Sequence, residues 1–250
     1  MRPEIHVLGI SIKTFGLCFA GAFLAAGGVL ARRLRELGKP IDWAYEIIFA
    51  GLIGGLVGSH AYYLVQHSDQ FNLHGIFSGT GLVWYGGAIG GAIGVCAWAH
   101  RRGMLGLALL DLTCVPLALG YAIGRVGCQV SGDGDYGIHT SLPWGMAYPH
   151  GTVPTTQHVH PTPIYETVTI GLLTWLMWRW RDRFRPGVLF AIYLIGSGVE
   201  RLAVEFIRRN AETFAGLTTP QLESIAIMTA GAVWLALVAR RSGSLRPTPA

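Results

Sequence analysis

Arg125 stands at the end of the apolar run from Leu107 to Ile123, inside Gly124-Arg125-Val126-Gly127. The chain then passes into Ser131-Gly132-Asp133-Gly134-Asp135-Tyr136-Gly137. A fixed cation beside a glycine-rich turn with free backbone N–H groups suits a phosphate or another anion. An ionisable group at the edge of an apolar span is expensive to keep, which marks it as functional. Arg201, Glu205 and Arg208 follow at spacings of four and three, so a helix puts them on one face. On one reading that face is an intrahelical ion pair that makes the charges tolerable. On the other, Glu205 orients Arg201 toward an anion, and Arg125 takes a second face of the same phosphate.

Other residues offer chemistry with open alternatives. His160 precedes Pro161, where it either fixes the start of a helix by a hydrogen bond or takes part in the reaction. His150, His158 and His160 are three possible zinc ligands in one loop. Cys128 lies near Arg125, and a nearby cation favours a thiolate nucleophile. Asp133 and Asp135 are either working carboxylates or a solvated turn whose glycines supply positive φ. The expectation is a site with no metal and no other cofactor.

The elements that must position these residues are read from composition. Apolar residues make up 51% of the chain and charged residues 13%, which fits a polytopic membrane protein and not a soluble enzyme. The net charge of +5 comes from short basic clusters between apolar runs, so no nucleic-acid partner is expected. Cys18, Cys96, Cys114 and Cys128 show no disulfide or metal spacing and read as small core residues. Crossing roughly 30 Å of hydrocarbon takes about 20 residues. Seven runs meet that length, near 12–31, 44–66, 81–99, 107–124, 163–180, 187–207 and 221–239. The first reads as a retained span and not a cleaved signal. Glycines crowd the second and third runs (Gly51, Gly54, Gly55, Gly58, Gly86, Gly87, Gly90, Gly91, Gly94), a pattern that lets helices approach closely.

Loop charge sets an orientation. Arg32, Arg33, Arg35 and Lys39 follow the first run, and Arg101 and Arg102 the third. Arg179, Arg181, Arg183 and Arg185 close the fifth, and Arg240, Arg241 and Arg246 follow the seventh. Segment 67–80 has no Lys or Arg. The positive-inside rule then puts the N-terminus outside and the C-terminus in the cytoplasm. Arg201 would lie about 21 Å above the inner face, at 1.5 Å per residue. Arg125, Tyr85, His60 and the longest loop, 125–162, map to the same outer half. The expected architecture is therefore all-α: one transmembrane domain, 1–250, of seven helices with a short outer loop domain.

Three segments, in order, carry a family resemblance. Gly124-Arg125-Val126-Gly127, His160-Pro161-Thr162-Pro163-Ile164-Tyr165-Glu166 and Arg201-Leu202-Ala203-Val204-Glu205-Phe206-Ile207-Arg208 resemble successive motifs of bacterial prolipoprotein diacylglyceryl transferases. Gln221-Leu222-Glu223-Ser224 is similar to that family's closing motif. The resemblance covers nearly the whole chain. It implies transfer of the diacylglyceryl group of phosphatidylglycerol to the cysteine thiol of a lipoprotein signal peptide, forming a thioether and releasing glycerol phosphate. Such chemistry needs a thiolate, cations on the leaving phosphate, and a lipid held in line with a peptide.

By that resemblance Arg125 and Arg201 hold and activate the phosphate. Tyr85, Asp133 and His160 join them as catalytic candidates. Glu205, Gly127, Asp135, Glu166 and His60 are the substrate-binding candidates. The chain also departs from the family. Tyr85-Gly86-Gly87 stands where His-Gly-Gly is usual, and His60 where an arginine is usual. One added residue before Gly137 lets either Asp133 or Asp135 take a glutamate's role. The expected partners are phosphatidylglycerol, prolipoprotein signal peptides and membrane lipids, in a bacterial inner membrane with the site near the outer leaflet. Two other readings stay open. One is a lipid-binding or transport protein that keeps the headgroup site without the chemistry. The other is a headgroup enzyme or paralogue using a different acceptor, including water.

Overall fold

A computed structural model describes residues 2–7, 10–67 and 83–247, with the side chains of Val7, Ile10, Trp84 and Tyr85 outside the described set. Seven helices appear among the described residues. They are α1 (Thr14–Glu36), α2 (Trp43–Gln66), α3 (Trp84–Arg101), α4 (Leu107–Ser131), α5 (Thr162–Trp180), α6 (Val188–Glu205) and α7 (Thr219–Ser242). Each coincides with one of the seven apolar runs. Four of them, α1, α2, α4 and α7, are long and apolar enough to cross a membrane by length and composition. The helices α5 and α6 carry Glu166, Glu200, Arg201 and Glu205 within their length, which lowers their apolar character.

One expectation is met in outline and one needs correction. The chain is mostly helical, in keeping with an all-α membrane protein. It adds three antiparallel two-stranded ribbons: β1 (Glu4–Val7) with β2 (Ile10–Lys13), β3 (Met146–Tyr148) with β4 (Thr155–Val159), and β5 (Glu212–Phe214) with β6 (Leu217–Thr218). The fourth helix does not stop at Gly124. It runs on through Arg125 to Ser131, and the turn comes at Gly132, whose φ is +60°. Gly124 and Gly127 are therefore helical, and the glycine-rich turn begins only after Ser131.

The described residues form two compact units, 27–109 and 1–26 with 110–250. In the first, α2 and α3 touch backbone to backbone. A Cβ built on Gly90 would lie 2.2 Å from the Gly54 carbonyl oxygen, and one on Gly58 would lie 2.3 Å from that of Gly86. No side chain fits such a contact, which explains the glycine stripe. The pair is pinned near both ends. Glu46 accepts hydrogen bonds from Trp98 Nε1 (2.6 Å) and Arg102 Nε (2.9 Å), and Ser59 Oγ donates to the Val83 carbonyl (2.7 Å).

In the second unit, polar groups hold helix ends in place. Asp111 of α4 accepts from the backbone N–H groups of Gly187 (2.7 Å) and Phe190 (2.9 Å), satisfying donors at the start of α6. Thr218 and Gln221 form a capping box that opens α7. Between α4 and α5, residues 132–161 fold on a small core of Tyr136, Tyr148 and Val159, with Met146 packed against it. The Tyr136 and Tyr148 rings stack at 4.8 Å, and Tyr148 donates to Gln129 of α4 (3.0 Å). The segment returns the chain to α5 through Gly137 N–H on the His160 carbonyl (2.8 Å).

The α2–α3 contact yields a stability test. Gly90→Ala should destabilise the protein by about 1–3 kcal/mol through forced separation of the helices. Gly28→Ala, where nothing lies within 4 Å of the new methyl, should not. Thermal unfolding in detergent measures both, and equal effects at the two positions would refute the contact.

Candidate active site

Glu166 is the centre of the site. It sits in the first turns of α5, just after Pro161 and Pro163, where proline suits a helix start. Its side chain is fully buried. Its Oε1 lies 3.0 Å from Arg125 Nη2 and 3.1 Å from Arg201 Nη1, and accepts a hydrogen bond from Tyr121 (2.9 Å). Its Oε2 lies 3.6 Å from Arg208 Nη1. Three arginines from α4, α6 and the segment after α6 thus converge on one carboxylate of α5.

Two further carboxylates complete the network. Asp135 bridges Arg125 and Arg208, one oxygen to each. Burial opposes its ionisation, but the guanidiniums of Arg125 and Arg208 outweigh that and hold its carboxyl below the usual carboxylate range. Glu205 lies 3.3 Å from Arg201 and 4.0 Å from Arg208. Its other oxygen accepts from Asn210 (2.6 Å) and from Thr218 (2.8 Å), the cap residue of α7. The intrahelical pairing of Arg201 with Glu205 is thus present, and both residues also have partners beyond their own helix. The Arg125 guanidinium lies over the Tyr121 ring at 5.0 Å, a cation–π contact made one helical turn away.

The three arginines differ in access. The side chain of Arg208 is 9% exposed, that of Arg125 12% and that of Arg201 23%. Each guanidinium has five N–H donors, so ion pairs do not exhaust them. Arg125 Nε is buried without a hydrogen-bond partner among the described residues.

Of the two aspartates, Asp135 is the one between the arginines. Asp133 turns back instead and accepts from the Asp135 backbone N–H (3.3 Å). Cys128 Sγ lies 3.6 Å from Arg125 Nη1 and groups with Asp133 and Asp135. This is the one His/Cys/Asp/Glu group with metal-like spacing among the described residues, and His150, His158 and His160 form none. Asp135 is already spent on two arginines there. His160 lies beside the network: its Nδ1 is 3.3 Å from the Tyr165 hydroxyl, which also accepts from Trp144 Nε1 (2.8 Å). Gly127 lies inside α4, and its missing side chain admits Cys18 and Phe15 of α1. His60 belongs to α2 of the 27–109 unit and stacks near Tyr63. Tyr85 lies on α3, and its side chain falls outside the described residues.

Sequence reasoning did not single out Tyr121 or Glu200. Tyr121 is four residues before Arg125 and so on its helical face, a signal that was available. Glu200 adjoins Arg201 and is a charged residue within an apolar run, which was also available.

Known proteins are similar to this chain over most of its length. The family model described as prolipoprotein diacylglyceryl transferase matches residues 3–237. A phosphatidylglycerol–prolipoprotein diacylglyceryl transferase of Clostridium tetani is 33% identical over 232 residues, covering 90% of this chain and 93% of that protein. A protein of the same name from Finegoldia magna is 32% identical over 241 residues, covering 93% of each. One from Methylococcus capsulatus is 28% identical over 263 residues, covering 96% of this chain and 98% of its own.

The Asp135 bridge gives a pH signature. Its folded-state value is depressed, so its stabilisation is complete above the ordinary value of 3.8 and is lost as pH falls through the lower folded value. Asp135→Asn should therefore be less stable than the parent at neutral pH, with a gap that closes only below about pH 4. Unfolding in detergent across this range reads the gap, and one independent of pH would show that the bridge is not ionic.

Proposed function

The chain belongs to the prolipoprotein diacylglyceryl transferase family, and from that premise we propose that its arginine network binds and activates the phosphate of phosphatidylglycerol. The protein transfers the diacylglyceryl group to the thiol of a signal-peptide cysteine, with a thioether formed and glycerol phosphate released. The observation that carries this reading is the convergence of Arg125, Arg201 and Arg208 on the buried Glu166.

Glu166, Glu205 and Asp135 hold the guanidiniums in place before any substrate arrives. Preorganised cations need no reorganisation as charge builds on a leaving phosphate. Low-dielectric surroundings strengthen each contact. Arg201 is the most open of the three and meets the phosphate first, with Arg125 on a second face. Arg208 is nearly buried between Asp135, Glu166 and Glu205 and serves to hold the carboxylates. Asp135, and not Asp133, takes the part of the family's glutamate. The His160–Tyr165–Trp144 group faces the same end of α5 and orients the peptide side. Tyr85 is a candidate partner for the thiol on its motif position alone.

The protein is a bacterial membrane protein, and the basic clusters support an outward N-terminus and a cytoplasmic C-terminus. On that orientation all seven helices cross the inner membrane, and Arg125 and Arg201 lie toward the outer leaflet, where phosphatidylglycerol meets a translocated signal peptide.

Purified protein with phosphatidylglycerol and a cysteine-bearing lipoprotein signal peptide should add one diacylglyceryl mass to the peptide, read by mass spectrometry. Changing that cysteine to serine should abolish the gain. Arg125→Ala and Arg201→Ala should each lower the rate by about 100-fold or more while the protein still inserts, as for loss of a preorganised charge stabiliser. Normal turnover by both variants would overturn the assignment. Loss of phosphatidylglycerol without peptide gain would mean a different acceptor.

A further inference from the structure

Beside the three carboxyls paired with the network's guanidiniums, α6 carries one more that is buried. Arg125, Arg201 and Arg208 are paired with Asp135, Glu166 and Glu205. The fourth carboxyl is Glu200, the residue before Arg201 on α6. It is 8% exposed, and its Oε1 is buried with no hydrogen-bond partner among the described residues. None of the network's ion pairs includes it. The charged and titratable groups acting on it are Glu166 of α5, Tyr121 and Arg125 of α4, Arg201 beside it and Arg208 beyond the end of α6.

Four ionised carboxyls against three guanidiniums would leave a net negative charge buried where an anionic phosphate must bind. A buried charge without a partner is disfavoured, and a proton removes it. The carboxyl that no guanidinium holds is the one to carry that proton. Glutamine at this position would keep the shape and neutrality of the acid without its exchangeable proton.

We propose that Glu200 is protonated in the resting site and is the general acid of the transfer. This rests on the transferase reading above. A sulfur lone pair forms the bond to the glycerol carbon of the diacylglyceryl group. The carbon–oxygen bond to phosphate breaks, and its electron pair stays on the oxygen, which takes the proton from Glu200. The thiol's proton, given up as the sulfur attacks, returns Glu200 to the acid. A thiol and a phosphodiester monoanion become a thioether and a glycerol phosphate monoanion, so no second negative charge is released into a cluster whose guanidiniums are already shared.

The test combines a readout of the proton with a readout of its use. Infrared difference spectra of the membrane-reconstituted parent, in H2O and D2O, should show the carbonyl band of a protonated carboxylic acid, and Glu200→Gln should remove it. In the transferase assay Glu200→Gln should leave KM for phosphatidylglycerol nearly unchanged and lower kcat by about 100-fold or more. The decline of the parent's kcat at high pH, as Glu200 loses its proton, should be absent from the residual rate. Glu200→Asp should recover part of kcat and shift the band, a reading that serves if the glutamine variant does not accumulate. A band that persists in Glu200→Gln, or that is unshifted in Glu200→Asp, overturns the proposal. So does an unchanged kcat and pH profile in Glu200→Gln. A parent that shows the band but transfers nothing to the peptide refutes the transferase reading while leaving the proton on Glu200.

Discussion

One fully buried carboxylate, that of Glu166, is shared by three guanidiniums delivered from three other parts of the chain, and the rest of the site is arranged around it. A lone ionised glutamate at this depth would be untenable. Three lone arginines would be worse, because each would repel the others. Together they are tolerated, and the attraction between them is stronger for being screened from water. The arrangement is also unforgiving. Removing one partner of a buried ion pair costs about 3–5 kcal/mol in other proteins, because the remaining charge is stranded. Glu166 has three such partners and the Tyr121 hydroxyl besides.

Such a centre works only if the elements bearing it cannot drift. The carboxylates are themselves tied down. Glu205 is held by Asn210 and by the Thr218 cap of α7, so the start of one helix steadies the charged end of another. Asp135 is steered by its backbone, whose carbonyl accepts from Thr162 of α5 (2.5 Å). A Cβ on Gly137 would lie 2.4 Å from the Ile207 carbonyl oxygen, so only glycine lets the segment after Asp135 pass so near the chain that carries Arg208. Asp111 caps the far end of α6 and fixes the helix on which Arg201 and Glu205 ride. Outer partners of this kind hold a constellation within the tolerance that charge stabilisation requires.

Much of this was legible in the residues. The seven apolar runs each became a helix, because apolar length is a local property that needs no partner to be read. The glycine stripe of α2 and α3 announced a close approach for the same reason. Arg125, Arg201 and Glu205 stood out as charged residues in apolar surroundings, Glu166 only through its family motif, and Arg201 and Glu205 pair at their spacing of four. The end of α4 was misread, since Gly124 and Gly127 look like a break. A glycine interrupts a helix only weakly, and here Gly127 is where α1 comes close.

By itself, then, the sequence determined the helices, the charged residues among them and the family that carries those motifs, because periodicity, composition and ordered motifs are written along the chain. Only the tertiary structure decided which charge meets which. It placed Asp135 and not Asp133 between two arginines, and put Glu166 at the junction of three. Among the described residues it left Glu200 outside the network's ion pairs. These are choices among residues far apart in sequence, made by the packing of α4, α5 and α6 and by the path of residues 132–161, and no local pattern encodes the distance between side chains that meet only after the helices have packed.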